Sequence, residues 1–241
     1  MQQRKTFAVP VNLSADFISQ TCATAVLLVV VTLLPSLGVS PSAPATQEDL
    51  LTRTAAIGDR FLSAAPEFQD ALQVSGAPGG VAFVEGCAEE PKPMVHPRGT
   101  TLRQVLDSIT SADSHYVWRI KEGVVNVEPA KGLPALLETH LKTYDSGKLA
   151  DAVSAVTVLS GSPDVVRAGA RLGLTHNALG PGLGGVAPGS PSPQKPLGLR
   201  LHNVTLLDAL NTIARANKHG VWTYRETQCG SVHQFNISFA Q

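Results

Sequence analysis

A stretch of twenty residues occurs twice in this chain, 104 positions apart, and no other feature restricts its fold so strongly. Thr101–Ile120 laid on Thr205–Tyr224 matches Thr101 with Thr205, Leu102 with Leu206, Leu106 with Leu210 and Ile109 with Ile213. Ala112, His115, Val117 and Trp118 match Ala216, His219, Val221 and Trp222, so both tryptophans of the chain fall inside the repeat. These are 8 identities in 20 positions, where ordinary composition supplies about one or two. Weaker matches keep the same order at offsets of 97 to 105. Leu62-Ser63 and Pro66-Glu67 recur as Leu159-Ser160 and Pro163-Asp164, and Gly79-Gly80-Val81-Ala82 recurs as Gly184-Gly185-Val186-Ala187.

Each repeat window predicts an amphipathic helix followed by a strand. Thr101 and Thr205 stand at the N-cap, with Gln104 completing a capping box in the first copy and Asp208 placing acid in the first turn of the second. Leu102, Val105, Leu106 and Ile109 recur at i, i+3, i+4 and i+7, as do Leu206, Ala209, Leu210 and Ile213, which makes one apolar stripe per helix. Tyr116, Trp118 and Ile120 then alternate with Val117 and Arg119, the period of a strand. Lys121-Glu122-Gly123 predicts a tight turn into Val124–Val127; in the second copy the turn is expected to widen over Glu226–His233 before Phe235–Phe239. Leading strands are expected at Val81–Val84 or Met94–His96, and at Leu197–His202. Residues 50–72 and 136–159 read as further helices, the second broken near Asp145-Ser146-Gly147. The expected fold is α+β: two tandem β-α-β-β modules, each a helix on a small sheet, with additional helices. The first module takes residues 46–132 and the second 133–241. Gly and Pro make up 10 of the 20 residues from Asn177 to Pro196, which places a loop at 177–196.

Residues 1–45 have the order of a secretory signal peptide. Arg4 and Lys5 precede the apolar run Ala25–Leu34, and Ala43-Pro44-Ala45 supplies an A-x-A site. The run is short of the roughly 20 residues of a spanning helix; the other reading is an uncleaved inner-membrane anchor. Either way the body of the chain belongs in the periplasm or outside the cell, with membrane contact only through this segment. Lys+Arg and Asp+Glu both number 19, so no net field attracts nucleic acid. Cys87 and Cys229 are a candidate disulfide between the modules, the other reading being two separate buried thiols.

The pattern of a leading strand, Thr-Leu-x-x-x-Leu-x-x-Ile (Thr101 to Ile109, Thr205 to Ile213), an aromatic strand and a hairpin into Val-Asn-Val or Phe-Asn-Ile resembles the short N-terminal domain of secretins and TonB-dependent receptors. The resemblance covers residues 81–129 and 197–239. It implies a periplasmic interaction domain, without the secretin pore or the receptor barrel. Members of the family often have Gly in the turn after the helix, where this chain has His115-Tyr116 and His219-Gly220.

No catalytic signature accompanies the repeat. The seven histidines include no H-E-x-x-H spacing and no C-x-x-C accompanies them, so no metal or other cofactor is expected. His115 and His219 read as polar residues at helix C-termini, and Trp118 and Trp222 as core, with ligand binding the sharper alternative for all four. Ser63, Ser160 and Ser162 lack a G-x-S-x-G elbow. Asn203-Val204-Thr205 and Asn236-Ile237-Ser238 match the glycosylation sequon. The expected function is therefore binding of an envelope protein partner, in a transport or secretion assembly, by a scaffold that is not an enzyme. The alternative is a periplasmic hydrolase or ligand-binding protein with its site between the modules.

Overall fold

The computed structural model describes residues 46–55, 63–87, 94–148, 151–177 and 196–241; residues 1–45, where a signal peptide is expected, and most of the Gly/Pro stretch lie outside them. The chain runs α1 (Gln47–Leu51), α2 (Ala64–Ser75), β1 (Gly79–Gly86), α3 (Leu102–Ala112), β2 (Tyr116–Lys121), β3 (Val124–Pro129) and β4 (His140–Asp145). It continues through α4 (Ala152–Ser160), α5 (Pro163–Arg171), β5 (Thr175–His176), β6 (Arg200–Thr205), α6 (Leu206–Asn217), β7 (Val221–Cys229) and β8 (Val232–Ala240). The fold is a mixed α+β arrangement.

Local chemistry sets the two repeat helices. Thr101 accepts from the Gln104 backbone N–H while the Gln104 side chain answers the Thr101 N–H, closing the capping box. Thr205 accepts from the Asp208 N–H in the same way. Leu102, Leu106 and Ile109 are buried from α3, and Leu206, Leu210 and Ile213 from α6. Each such side chain contributes about 1.5–3 kcal/mol by leaving water. The β2–β3 hairpin turns on Glu122 and Gly123 alone, both at positive φ, as a two-residue turn that matches strand twist demands.

Six strands form one sheet in the order β2-β3-β1-β7-β8-β5, and β4 pairs with β6 in a separate two-stranded sheet. β1 runs parallel to both β3 and β7, with Gly79 opposite Val125 on one side and opposite Val221 on the other. β2–β3 and β7–β8 are antiparallel, and β5 runs parallel to β8. Successive side chains of a strand point to opposite faces. Val81, Phe83, Val125, Val127 and Val221 pack with Phe68 and Leu72 of α2 and Leu102, Leu106 and Ile109 of α3. Ala82, Val124, Trp222, Tyr224, Phe235 and Ile237 pack on the other face with residues of α4, α5 and α6. The helices of the N-terminal half thus cover one face, those of the C-terminal half the other. The β1–β7 pairing carries the sheet across residue 132.

Several expectations are corrected. Residues 136–159 do not form a broken helix: Leu136 and Leu137 are buried in turns, residues 140–145 are β4, and only 152–160 are helical. The apolar residues fitted a helical period, yet Leu141 and Tyr144 are the buried positions of a strand held by the register of Tyr144 with Leu201 and Leu141 with Val204. Within 50–72, α1 ends at Leu51 and α2 begins at Ala64. Residues 200–205 pair with β4 and not with the β7–β8 hairpin. The turn expected over Glu226–His233 shrinks to Gly230-Ser231, because the ladder runs on to Cys229 opposite Val232. The place that Gly79 holds beside β3, parallel and opposite Val125, is held beside β8 by His176, opposite Phe235. Gly184–Ala187 lies outside the described residues.

Candidate functional site

The repeated tryptophans are placed by the same device in two different settings. Trp222 in β7 donates from Nε1 to Asn211 Oδ1 of α6 at 2.9 Å. Its indole is fully buried, and its register partner on β1 is Gly80. A Cβ built on Gly80 would run into the indole ring, so the tryptophan is covered by bare backbone of the neighbouring strand.

Trp118 in β2 donates from Nε1 to Asp107 Oδ1 of α3 at 3.0 Å. Asp107 precedes Asn211 by the same 104 positions that separate the tryptophans. Here the indole is only half-buried, and the Arg103 guanidinium lies 5.8 Å from its ring centre. β2 is the terminal strand of the six, and among the described residues nothing pairs with its outer edge. The edge carries neither Pro nor a bulge, and its charged side chains, Arg119 and Lys121, are the devices that blunt it. Val117 is 39% exposed on the face opposite Trp118. Arg119 is paired with Glu128, and Lys121 with Asp208 at 2.6 Å. Sequence reading found the tryptophans but missed their carboxylate and amide holders; a polar residue at the same repeat position in both helices was the available signal.

The remaining sequence candidates fall apart spatially. His115 is exposed, with Nδ1 2.8 Å from Asp113 Oδ1. His219 is exposed near the carbonyl of Gly76, 3.1 Å away. Among the described residues no group of His, Cys, Asp and Glu is arranged to hold a metal ion, and no helix is long and apolar enough to cross a membrane. Ser63 and Ser162 are N-caps of α2 and α5, and Ser160 donates to the carbonyl of Thr157. Asn236 donates to the carbonyl of Asn177. Cys87 and Cys229 form a disulfide, one residue beyond the last β1–β7 register pair, Gly86 with Gln228. It clamps the two halves at the strand pair that joins them.

A shallow polar cavity of about 90 Å3 lies on the face of β7–β8 that the C-terminal helices leave open. Gln69 of α2 donates to Thr223 there at 2.6 Å, and Asn177 to Gln234 at 3.2 Å. Arg225 stacks over Phe83 at 4.9 Å and sits 3.9 Å from Glu85. These bonds are made within the cavity wall. On the opposite face Tyr224 donates to Glu226 at 2.5 Å. Burial, that hydrogen bond and the neighbouring charge push its phenol far above the usual tyrosine range.

No protein-family model matches the chain, and neither a curated protein nor a solved structure shows significant similarity to it.

Proposed function

We propose that this chain is an exported, periplasmic protein–protein interaction scaffold whose acceptor is the outer edge of β2. It is built from two tandem modules like the short N-terminal domain of secretins and TonB-dependent receptors, and serves an envelope transport or secretion assembly. The first module comprises α2, β1, α3, β2 and β3, and the second α5, β5, α6, β7 and β8. Each supplies three adjacent strands in the same order across the sheet, β2-β3-β1 and β7-β8-β5. The second is turned over, so strand directions and helix faces are exchanged. The observation that carries the reading is the repeat equivalence of β2 and β7. β7 takes a parallel strand on the edge beside Trp222, and the matching edge of β2, with Trp118 held the same way, is unpaired among the described residues. Strand addition to such an edge uses backbone hydrogen bonds for affinity and side-chain fit for specificity.

The experiment is site-specific photo-crosslinking in the envelope. A crosslinker at Val117 is expected to give one dominant protein adduct, and the same group at Val74, exposed on α2, none. Equal, diffuse labelling from both positions would sink the reading.

The alternative of a ligand-binding protein has one observation in its favour, the polar cavity shared by Gln69 and Glu85 from the first half and Thr223, Arg225 and Asn236 from the second. It carries less weight because Gln69 donates to Thr223, Asn177 to Gln234 and Asn236 to the Asn177 carbonyl, bonds made within the cavity wall.

A further inference from the structure

The polar cavity beside β7 and β8 is framed by a grid of side chains from three strands. Alternate residues of a strand share a face, and the register sets Phe83, Arg225 and Asn236 in one row and Glu85, Thr227 and Gln234 in the next. Val81, Thr223 and Ser238 make the row on the other side. Val81 and Phe83 belong to the core under α2 and α3, whereas the β7 and β8 positions line the cavity of about 90 Å3. The Cys87–Cys229 disulfide comes two positions after the Glu85–Thr227 pair, so it projects on the same face and fixes that end of the grid.

Gln69, Asn177 and Asn236 donate within the wall, but the strongest donor of the cavity is unspent. The Arg225 guanidinium is 33% exposed, with Nε 3.9 Å from Glu85, beyond hydrogen-bond reach. Among the described residues no group accepts a hydrogen bond from its fork of N–H donors. The Thr227 and Ser238 hydroxyls and the Gln234 side-chain amide N–H groups are also without hydrogen-bond partners among the described residues. One cation, one carboxylate and a set of neutral polar groups therefore converge on one small space.

We propose that this cavity binds a small polar α-amino acid as its zwitterion. The Arg225 fork takes the carboxylate as a bidentate pair. Glu85, whose carboxylate has lone pairs for several donors, faces the ammonium. A simple anion on Arg225 would meet the Glu85 charge beside it, whereas a zwitterion matches both signs. Thr227, Ser238 and Gln234 serve the ligand's hydroxyl or amide. The volume suits a ligand of roughly six to nine non-hydrogen atoms, taking each as about one water, which is the size of serine, threonine or asparagine. The site does not depend on β2 as an acceptor edge.

The test is isothermal titration calorimetry of the purified, disulfide-bonded full chain with L-serine, L-threonine and L-asparagine. At least one is expected to bind one to one, and its carboxamide and its N-acetyl derivative are each expected to bind at least tenfold more weakly. Arg225→Lys, which keeps the charge and loses the fork, is expected to weaken binding at least tenfold. Thr227→Val is expected to weaken it severalfold with an unchanged unfolding midpoint, and Trp118→Phe to leave it as it was. No saturable heat from any of the three amino acids would overturn the proposal, and β2 would stand as before. Binding that survives Arg225→Lys and Thr227→Val unchanged would place the ligand elsewhere and overturn it too. A carboxamide or N-acetyl derivative that binds as tightly as the free amino acid would overturn the assignment to a zwitterion.

Discussion

Gly80 lies against the indole of Trp222, on the neighbouring strand and in direct register, with no room for a side chain between them. That contact lets β1 of the N-terminal half pair with β7 of the C-terminal half, and it covers the larger ring on one flank. Gly80→Ala is therefore expected to destabilise the protein by about 3 kcal/mol, since neither the strand backbone nor the packed indole has space to move into. Gly86→Ala, on the same strand with open space around its Cα, is the control and is expected to change little. Urea unfolding of both variants checks this; equal midpoints would refute it.

The repeated indole hydrogen bond separates burial from chemistry. Asn211→Ala leaves the Trp222 N–H buried without an acceptor, which is expected to cost about 1–3 kcal/mol. Asp107→Ala removes the equivalent bond to Trp118, where water reaches the donor, and its cost is expected to stay within about 0.5 kcal/mol. The two variants unfolded side by side give the comparison. The residue types follow the same logic: a carboxylate serves at the open edge, whereas a neutral amide stands where a charge would be buried.

All three tyrosines are held neutral beyond their ordinary range. Burial, with help from Asp113 and Glu85, pushes Tyr116 up to about 12. Burial and Asp145 push Tyr144 up to about 12, and Tyr224 is raised further beside Glu226. In the unfolded chain each ionises near pH 10. Above that pH the unfolded state binds fewer protons than the folded one, so stability falls as pH rises from about 10 through 12. Absorbance titration of the folded protein should find no phenol ionising near pH 10. A single ordinary midpoint would contradict it.

Legibility followed the range of the forces involved. The capping box at Thr101 and Gln104, the stripe of Leu102, Leu106 and Ile109 and the two-residue turn at Glu122-Gly123 depend on neighbours within a few positions, and the sequence displays them directly. β4 was misread as helix because Leu136, Leu137 and Leu141 fit a helical spacing, while the partner that makes residues 140–145 a strand lies about sixty residues away. The second hairpin was misread for a similar reason. Its polar Gln228 and Cys229 look like loop, yet the ladder and the Cys87 disulfide keep them in register.

By itself the sequence determined that one helix-and-hairpin pattern is used twice, because identity at matching positions and local patterning are written in the chain. Only the tertiary structure decided that β1 inserts beside β7, that the two sets of helices take opposite faces, and that one tryptophan is thereby buried while its twin stays at an edge. The reason is physical. Strand neighbours across long separations are chosen by backbone pairing and packing summed over the whole sheet, and identical side chains acquire different environments from the strands that arrive beside them.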